Sequence, residues 1–176
     1  MMNILILGPV GSGKSTQAEL LAQHLGLPHL SVGDLLYYAS QSNDPEARAI
    51  KEKMEKGELV DHATVVRLVE DHLKQSEHAS GTVIDGFPRN TEEAEMFPLH
   101  LDKVIYLKVS DQEVEKRLLA RGRGDDTPEI VKKRIEIYHQ ETEPVLEYYR
   151  QKGILVEVDG ERDVDAISAD IQTRIV

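Results

Sequence analysis

The chain has 176 residues, 40% of them hydrophobic, and a formal net charge of −11. That length supports one domain with a real core and falls short of two comfortable ones, and the acidic balance argues against nonspecific nucleic-acid or anionic-membrane binding. Cysteine is absent, which excludes disulfides and thiolate metal sites and is compatible with a reducing cytoplasm, while the lack of any run of about 18 apolar residues predicts no membrane span.

The N-terminal "MMNILILG" has neither a basic n-region nor a small-residue cleavage site, so it reads as a first strand, "NILIL" (3–7), and not as a signal peptide. Gly8, Gly13, Lys14 and Ser15 then fit G-x(4)-G-K-[ST]. The pattern stands between a predicted strand and a predicted helix, the context that a phosphate-binding loop requires. Glycines let backbone N–H groups approach phosphate oxygens, and the following helix adds the positive end of its dipole. Lys14 is placed to reach the β and γ phosphates, and the hydroxyl of Ser15 or Thr16 to bind Mg²⁺. The bland alternative, a turn that only tightens strand–helix packing, leaves Lys14 unexplained. Ala18, Leu21, Ala22 and Leu25 repeat with helical spacing over Lys14 to Leu25.

Residues 33–76 show several helices with no strand between them, punctuated at Asn43-Asp44-Pro45 and Lys56-Gly57. A second strand, "GTVID" (81–85), ends in Asp85, where a carboxylate either holds Mg²⁺ or its waters or caps a turn. In "DGFPR" (85–89), Gly86 and Pro88 shape a turn that presents Arg89 beyond the strand end, where ligands sit in open α/β sheets. Asn90 and Glu93 have capping-box spacing. "KVIYLKV" (103–109) is a third strand, and Ser110 with Glu113 opens a helix over "QEVEKRLLA". "RGRGDD" (121–126) is a tight charged turn. Thr127-Pro128 starts another helix, which Pro144 kinks or splits. "ILVEV" (154–158) is the fourth strand. Strands alternating with helices predict an α/β fold with a mainly parallel sheet. Arg117, Arg121, Arg123 and Arg134 concentrate positive charge in an acidic chain, and Arg117 and Arg121 share a helix face. Guanidinium forks suit the equatorial oxygens of a transferred phosphoryl group. For Arg117 the competing reading is an i, i+4 pair with Glu113.

Taken together, "GPVGSGKSTQA", "SVGDLL", "GELV", "DGFPR", "RLLARGRGDD" and "KKRIEIYHQETEPVLEYY" resemble the adenylate kinases, in the order and spacing of that nucleoside monophosphate kinase family and over essentially the whole chain. The resemblance implies one P-loop NTPase kinase domain, 1–176, in three layers. Its core would take 1–30, 61–120 and 127–176, its helical monophosphate-binding segment 31–60 and its minimal lid 121–126. It implies reversible, Mg²⁺-dependent transfer of the ATP γ-phosphoryl group to AMP by a cytoplasmic monomer. On this resemblance Gly11, Ser12, Gly13, Lys14, Ser15 and Thr16 hold the ATP phosphates, Arg117 stacks on the ATP base and the backbone near Arg162 borders it. Lys14, Arg89, Arg121, Arg123 and Arg134 surround the transferred group. Asp34 and Asp85 anchor the waters of Mg²⁺. The acceptor is met by Val32, Tyr37, Glu58, Leu59, Val60, Gly86, Phe87, Pro88, Arg89, Glu93, Arg123 and Arg134. Asp125 and Asp126 orient the lid arginines or bridge to the core. Without cysteine the short lid carries no structural zinc.

The acceptor side departs from the family pattern at three positions. Val32 replaces a threonine, Tyr37 an arginine, and Glu93 the glutamine that reads the adenine edge; a carboxylate accepts from the adenine amino group but donates to a ring nitrogen only when protonated. AMP stands first as acceptor and UMP or CMP second. A P-loop kinase for a small metabolite and a nucleotide-binding protein without turnover are the other classes to separate.

Overall fold

The computed structural model describes residues 2–97, 99–124 and 126–175, without the side chains of Ser76 and Glu77. Its centre is a five-stranded sheet built from β1 (Met2–Leu7), β2 (His29–Ser31), β3 (Gly81–Asp85), β4 (Lys103–Lys108) and β5 (Leu155–Asp159). All pairings are parallel and the order is β2-β3-β1-β4-β5. The helices are α1 (Lys14–Leu25), α2 (Val32–Ala39), α3 (Pro45–Glu55), α4 (His62–Leu73), α5 (Thr91–Glu95), α6 (Asp111–Arg121), α7 (Pro128–Ile137), α8 (Glu143–Gln151) and α9 (Val164–Arg174).

The strands are covered on both faces, which is why they read as continuous apolar runs rather than alternating ones. Ile4, Ile6, Val83, Ile105, Leu107 and Val158 pack against α1 and α9. Leu5, Leu7, Ile84, Val104 and Tyr106 pack against α2, α4 and α8. This is a three-layer α/β arrangement of the P-loop NTPase type. A third, smaller cluster joins Val114 and Leu118 of α6 to Val131 of α7, with Val10 of the phosphate loop packed on it. It seats the α6–α7 arm on the loop.

Because every strand runs the same way, the loops after Leu7, Ser31, Asp85 and Lys108 emerge on one edge. That edge is where a ligand meets an open α/β sheet. One sequence expectation changes. Four strands were expected and five are present among the described residues, since β2 is only three residues long and buries Leu30 alone. The expected split ahead of Pro144 is there: the helix divides through a π-helical segment, Tyr138–Thr142, whose last turn is closed by the Glu143 N–H to the Tyr138 carbonyl. Proline has no N–H for the α-helical ladder, and the wider turn absorbs the gap. Among the described residues no helix is long and apolar enough to cross a membrane.

Candidate active site at the carboxyl edge of the sheet

The phosphate loop turns directly from β1 into α1. Gly13, the residue before the helix, has φ 89°, and no side chain caps the helix start. That left-handed conformation comes without strain in glycine. It leaves first-turn N–H groups without a side-chain cap, which is how a helix start accepts an anion. At Gly11 a side chain would crowd Leu118 of α6 at 3.0 Å, so the loop and the α6–α7 arm are in close contact. Lys14 folds back, donating to the Pro9 carbonyl at 3.3 Å. Burial lowers its pKa from 10.5 to about 8; Asp85 pulls the other way, and the cations Arg89 and Arg121 lower it further.

Asp85 is buried at the end of β3. Its Oδ1 accepts from the Ser15 hydroxyl at 2.8 Å, and its Oδ2 lies 2.6 Å from His29 Nε2. The strand end is therefore tied to the phosphate loop on one side and to β2 on the other. Asp34 lies in the first turn of α2, which follows β2 on the same edge, and is exposed.

Beyond Asp85 the chain forms Gly86 to Arg89, with a cis Phe87–Pro88 bond. The Arg89 Nε donates to the Gly86 carbonyl at 2.8 Å. Glu93 Oε2 accepts from the Arg89 N–H at 2.6 Å, while Asn90 Oδ1 accepts from the Glu93 N–H at 2.8 Å. Glu93 thus caps one residue ahead of the expected box. These residues close one side of a slot lined also by Gly33, Leu36, Met54, Glu58, Leu59, Val60, Val65 and Gly86. Val32, Tyr37, Phe87 and Pro88 do not line it. Val32 is core, Phe87 stacks on Phe97 at 5.4 Å, and Tyr37 is 53% exposed with its edge against Tyr38. Glu58 bridges Lys53 and Lys133 at 2.8 Å each, linking the slot wall to α7.

The arginines divide into two groups. Arg121 grips Asp126 with two bonds of 2.8 Å, Arg134 reaches the same carboxylate at 3.0 Å, and the Arg123 N–H at 3.3 Å. Asp126 is buried, and Arg121, its nearest donor, holds its pKa below the usual carboxylate value. The charge of Arg134 reaches Arg89, so Lys14, Arg89, Arg121 and Arg134 form one interacting set of cations. Arg123 is exposed beside them. Asp125 lies outside the described residues. Arg117 sits apart: it pairs with Glu113 at 2.7 Å, as the bland reading had it, and also donates to the carbonyls of Ser12 at 3.3 Å and Gly160 at 3.0 Å. Arg162 turns away to Asp170 at 2.6 Å.

A family model for adenylate kinase matches residues 6–154. The chain belongs to the adenylate kinase family. Among curated relatives it is similar to adenylate kinase 1 of a Nostoc species, 36% identical with 99% of each chain covered. It is 41% identical to the adenylate kinase of Methylobacterium radiotolerans, over 97% of this chain and 94% of that one. It is 42% identical to the adenylate kinase of Mycolicibacterium smegmatis, over 85% and 86%.

Several groups at the site of this adenylate kinase family member carried no sequence signal. His29, held against Asp85, belongs to the strand that was too short to recognise. Gly33, Leu36, Met54 and Val65 come to the slot from separate elements. Lys133 reaches the slot wall from α7 through Glu58. Asp126 as a carboxylate that orients the lid arginines was implied by the resemblance, and Glu113 as a partner of Arg117 by its spacing.

Proposed function

We propose that the chain transfers the γ-phosphoryl group of ATP reversibly to AMP, giving two ADP, as a cytoplasmic monomer. The observation that carries this is the convergence of Lys14, Arg89, Arg121 and Arg134 within electrostatic reach of one another at one sheet edge. Asp126 answers Arg121 and Arg134, while Lys14, held down by burial and by Arg89 and Arg121, is left to gain from a polyanion. The three-part division also follows: a core around the sheet, an acceptor segment over 31–60 whose loop forms the slot wall, and a lid over 121–126 carried by α6 and α7.

In this mechanism the N–H groups of Gly11 to Thr16 cradle the ATP phosphates. Lys14 binds across the β and γ oxygens, and Arg117, anchored to Ser12 and Gly160, flanks the donor nucleotide with the backbone near Arg162. Arg89 holds the acceptor phosphate at the mouth of the slot. Arg121, Arg123 and Arg134 balance the charge on the equatorial oxygens during transfer. The acceptor oxygen is already ionised at neutral pH, so no base must remove a proton. Positioning and exclusion of water do the rest. The Ser15 hydroxyl and the Asp85 carboxylate stand 2.8 Å apart beside the loop. They are the hard-oxygen donors that Mg²⁺ accepts directly or through its waters, and Asp34 is a second carboxylate on that edge. When bound, Mg²⁺ neutralises charge on the β- and γ-phosphates.

A coupled assay with ATP and a panel of AMP, UMP, CMP, GMP and deoxynucleoside monophosphates tests the proposal. AMP is expected to give the highest kcat/KM. Preference for UMP or CMP would overturn the acceptor, and turnover with none of the panel would overturn the reaction.

A further inference from the structure

The acceptor slot holds a buried acid that phosphoryl transfer does not use. Glu93 is 2% exposed. Its backbone is fixed by Asn90 and its Oε2 by the Arg89 N–H, so the carboxyl group cannot swing out of the wall. No hydrogen bond to Oε1 is found among the described residues, and the carboxyl group lines the slot alongside Leu36, Met54, Leu59, Val60 and Val65. Apolar walls of this kind take the two faces of a flat ring, and the carboxyl group is left to meet its edge.

The edges of adenine present an amino donor next to a ring-nitrogen acceptor. An ionised carboxylate offers acceptors only and sets a lone pair against the ring nitrogen. A neutral carboxylic acid offers one donor beside one acceptor, the same pattern as an amide. Accordingly we propose that Glu93 reads the adenine edge as a neutral carboxylic acid, so that AMP recognition by this chain carries a proton with it. The inference rests on AMP being the acceptor.

The surroundings favour this state on balance. Burial pushes the Glu93 carboxyl above the usual range, against the N–H groups of Arg89 and Asn90 and the charges of Arg89 and His62. His62, at the start of α4, is near Glu92 as well, at 3.5 Å. Glu58, the other acid on the slot wall, is taken up by Lys53 and Lys133. A guanine edge pairs a ring N–H with an amino N–H, two donors together, and would suit the ionised form instead.

The test compares KM for AMP in the wild type and Glu93→Gln from about pH 6 to about pH 9. Their ratio cancels the titration of the AMP phosphate and of Lys14, which both proteins share. The ratio of wild type to variant is expected near unity at the acid end and to rise at least about tenfold at the alkaline end, the cost of a mismatched buried hydrogen bond. A ratio independent of pH overturns the proposal, as does a wild type that prefers GMP to AMP throughout. Thermal melts of both proteins across the series report whether the variant is folded. AMP analogues with carbon in place of ring N1 or of N7 supply a second test on the same two proteins. With one of the two the wild-type-to-variant ratio should no longer rise with pH, and a rise retained with both counts against the proposal. Absence of any turnover with AMP, in either protein, would instead indict the proposed transfer itself.

Discussion

Lys14 shows the tension between function and stability at a single residue. Its pKa of about 8 in the folded chain lies below the ordinary 10.5 because burial and two arginines oppose its charge. A cation with a depressed folded pKa is protonated more readily in the unfolded chain between those values. Its penalty on stability is therefore largest below about pH 8 and fades as pH rises toward 10.5. Lys14→Met removes the penalty together with the phosphate contact. It is expected to cost about 100- to 1,000-fold in kcat, the scale of one lost transition-state donor. Its apparent Tm at pH 7 without ligand should equal or exceed that of the wild type, with the difference shrinking as pH is raised. A lower Tm in the variant would mean that the ammonium is satisfied in the empty site. ATP would reverse the order, since its phosphates restore the missing countercharge.

At the level of elements, the α6–α7 arm depends on a few contacts around one carboxylate. Asp126 receives Arg121, Arg134 and the backbone of Arg123, and Val114, Leu118 and Val131 form the small cluster that joins the two helices of the arm. Asp126→Asn keeps the shape but removes the charge between two guanidinium groups. Stability at pH 7 should fall by about 2 kcal/mol, less than for a fully buried pair because Arg121 is partly in water. The sign with pH is fixed by the depressed Asp126 pKa: its contribution is complete above the unfolded value and is lost as pH falls below about 4. Thermal melts from neutral to acid pH should therefore converge for the two proteins, and kcat should drop about 10- to 100-fold from misplaced arginines. Most of these elements were readable beforehand because their signals are local. Thr127 and Ser110 do cap their helices, the glycine loop does join a strand to a helix, and the long helical stretch does split just ahead of Pro144. β2 was not readable, since three residues with one buried side chain carry no period at all. His29 was missed with it.

On the scale of the whole molecule, what sequence could not supply is the assembly of the slot. Leu36, Met54 and Val65 are ordinary inward positions on three helices, and only the fold turns them toward a common space with Glu93. The tie between the acceptor side and the α6–α7 arm was equally silent. Glu58 takes Lys53 from α3 and Lys133 from α7, which holds its carboxyl far down, to about 2. These side chains are partly exposed, so the bridge is a weak one. Its effect belongs to the ordering of the slot wall against the arm that carries Arg134. Lys133→Met is expected to raise KM for the acceptor about two- to fivefold at low salt, with kcat and the ATP KM little changed. In about 1 M salt, where the screening length falls to about 3 Å, the wild type loses the same attraction and the two proteins should agree. The reversed pair, Glu58→Lys with Lys133→Glu, should recover part of the low-salt loss seen in either single reversal, although Lys53 then opposes the new lysine. A difference between wild type and Lys133→Met that persists undiminished in high salt would mean that the lysine acts through packing of its stem against the loop, and that charge does not join the two sides.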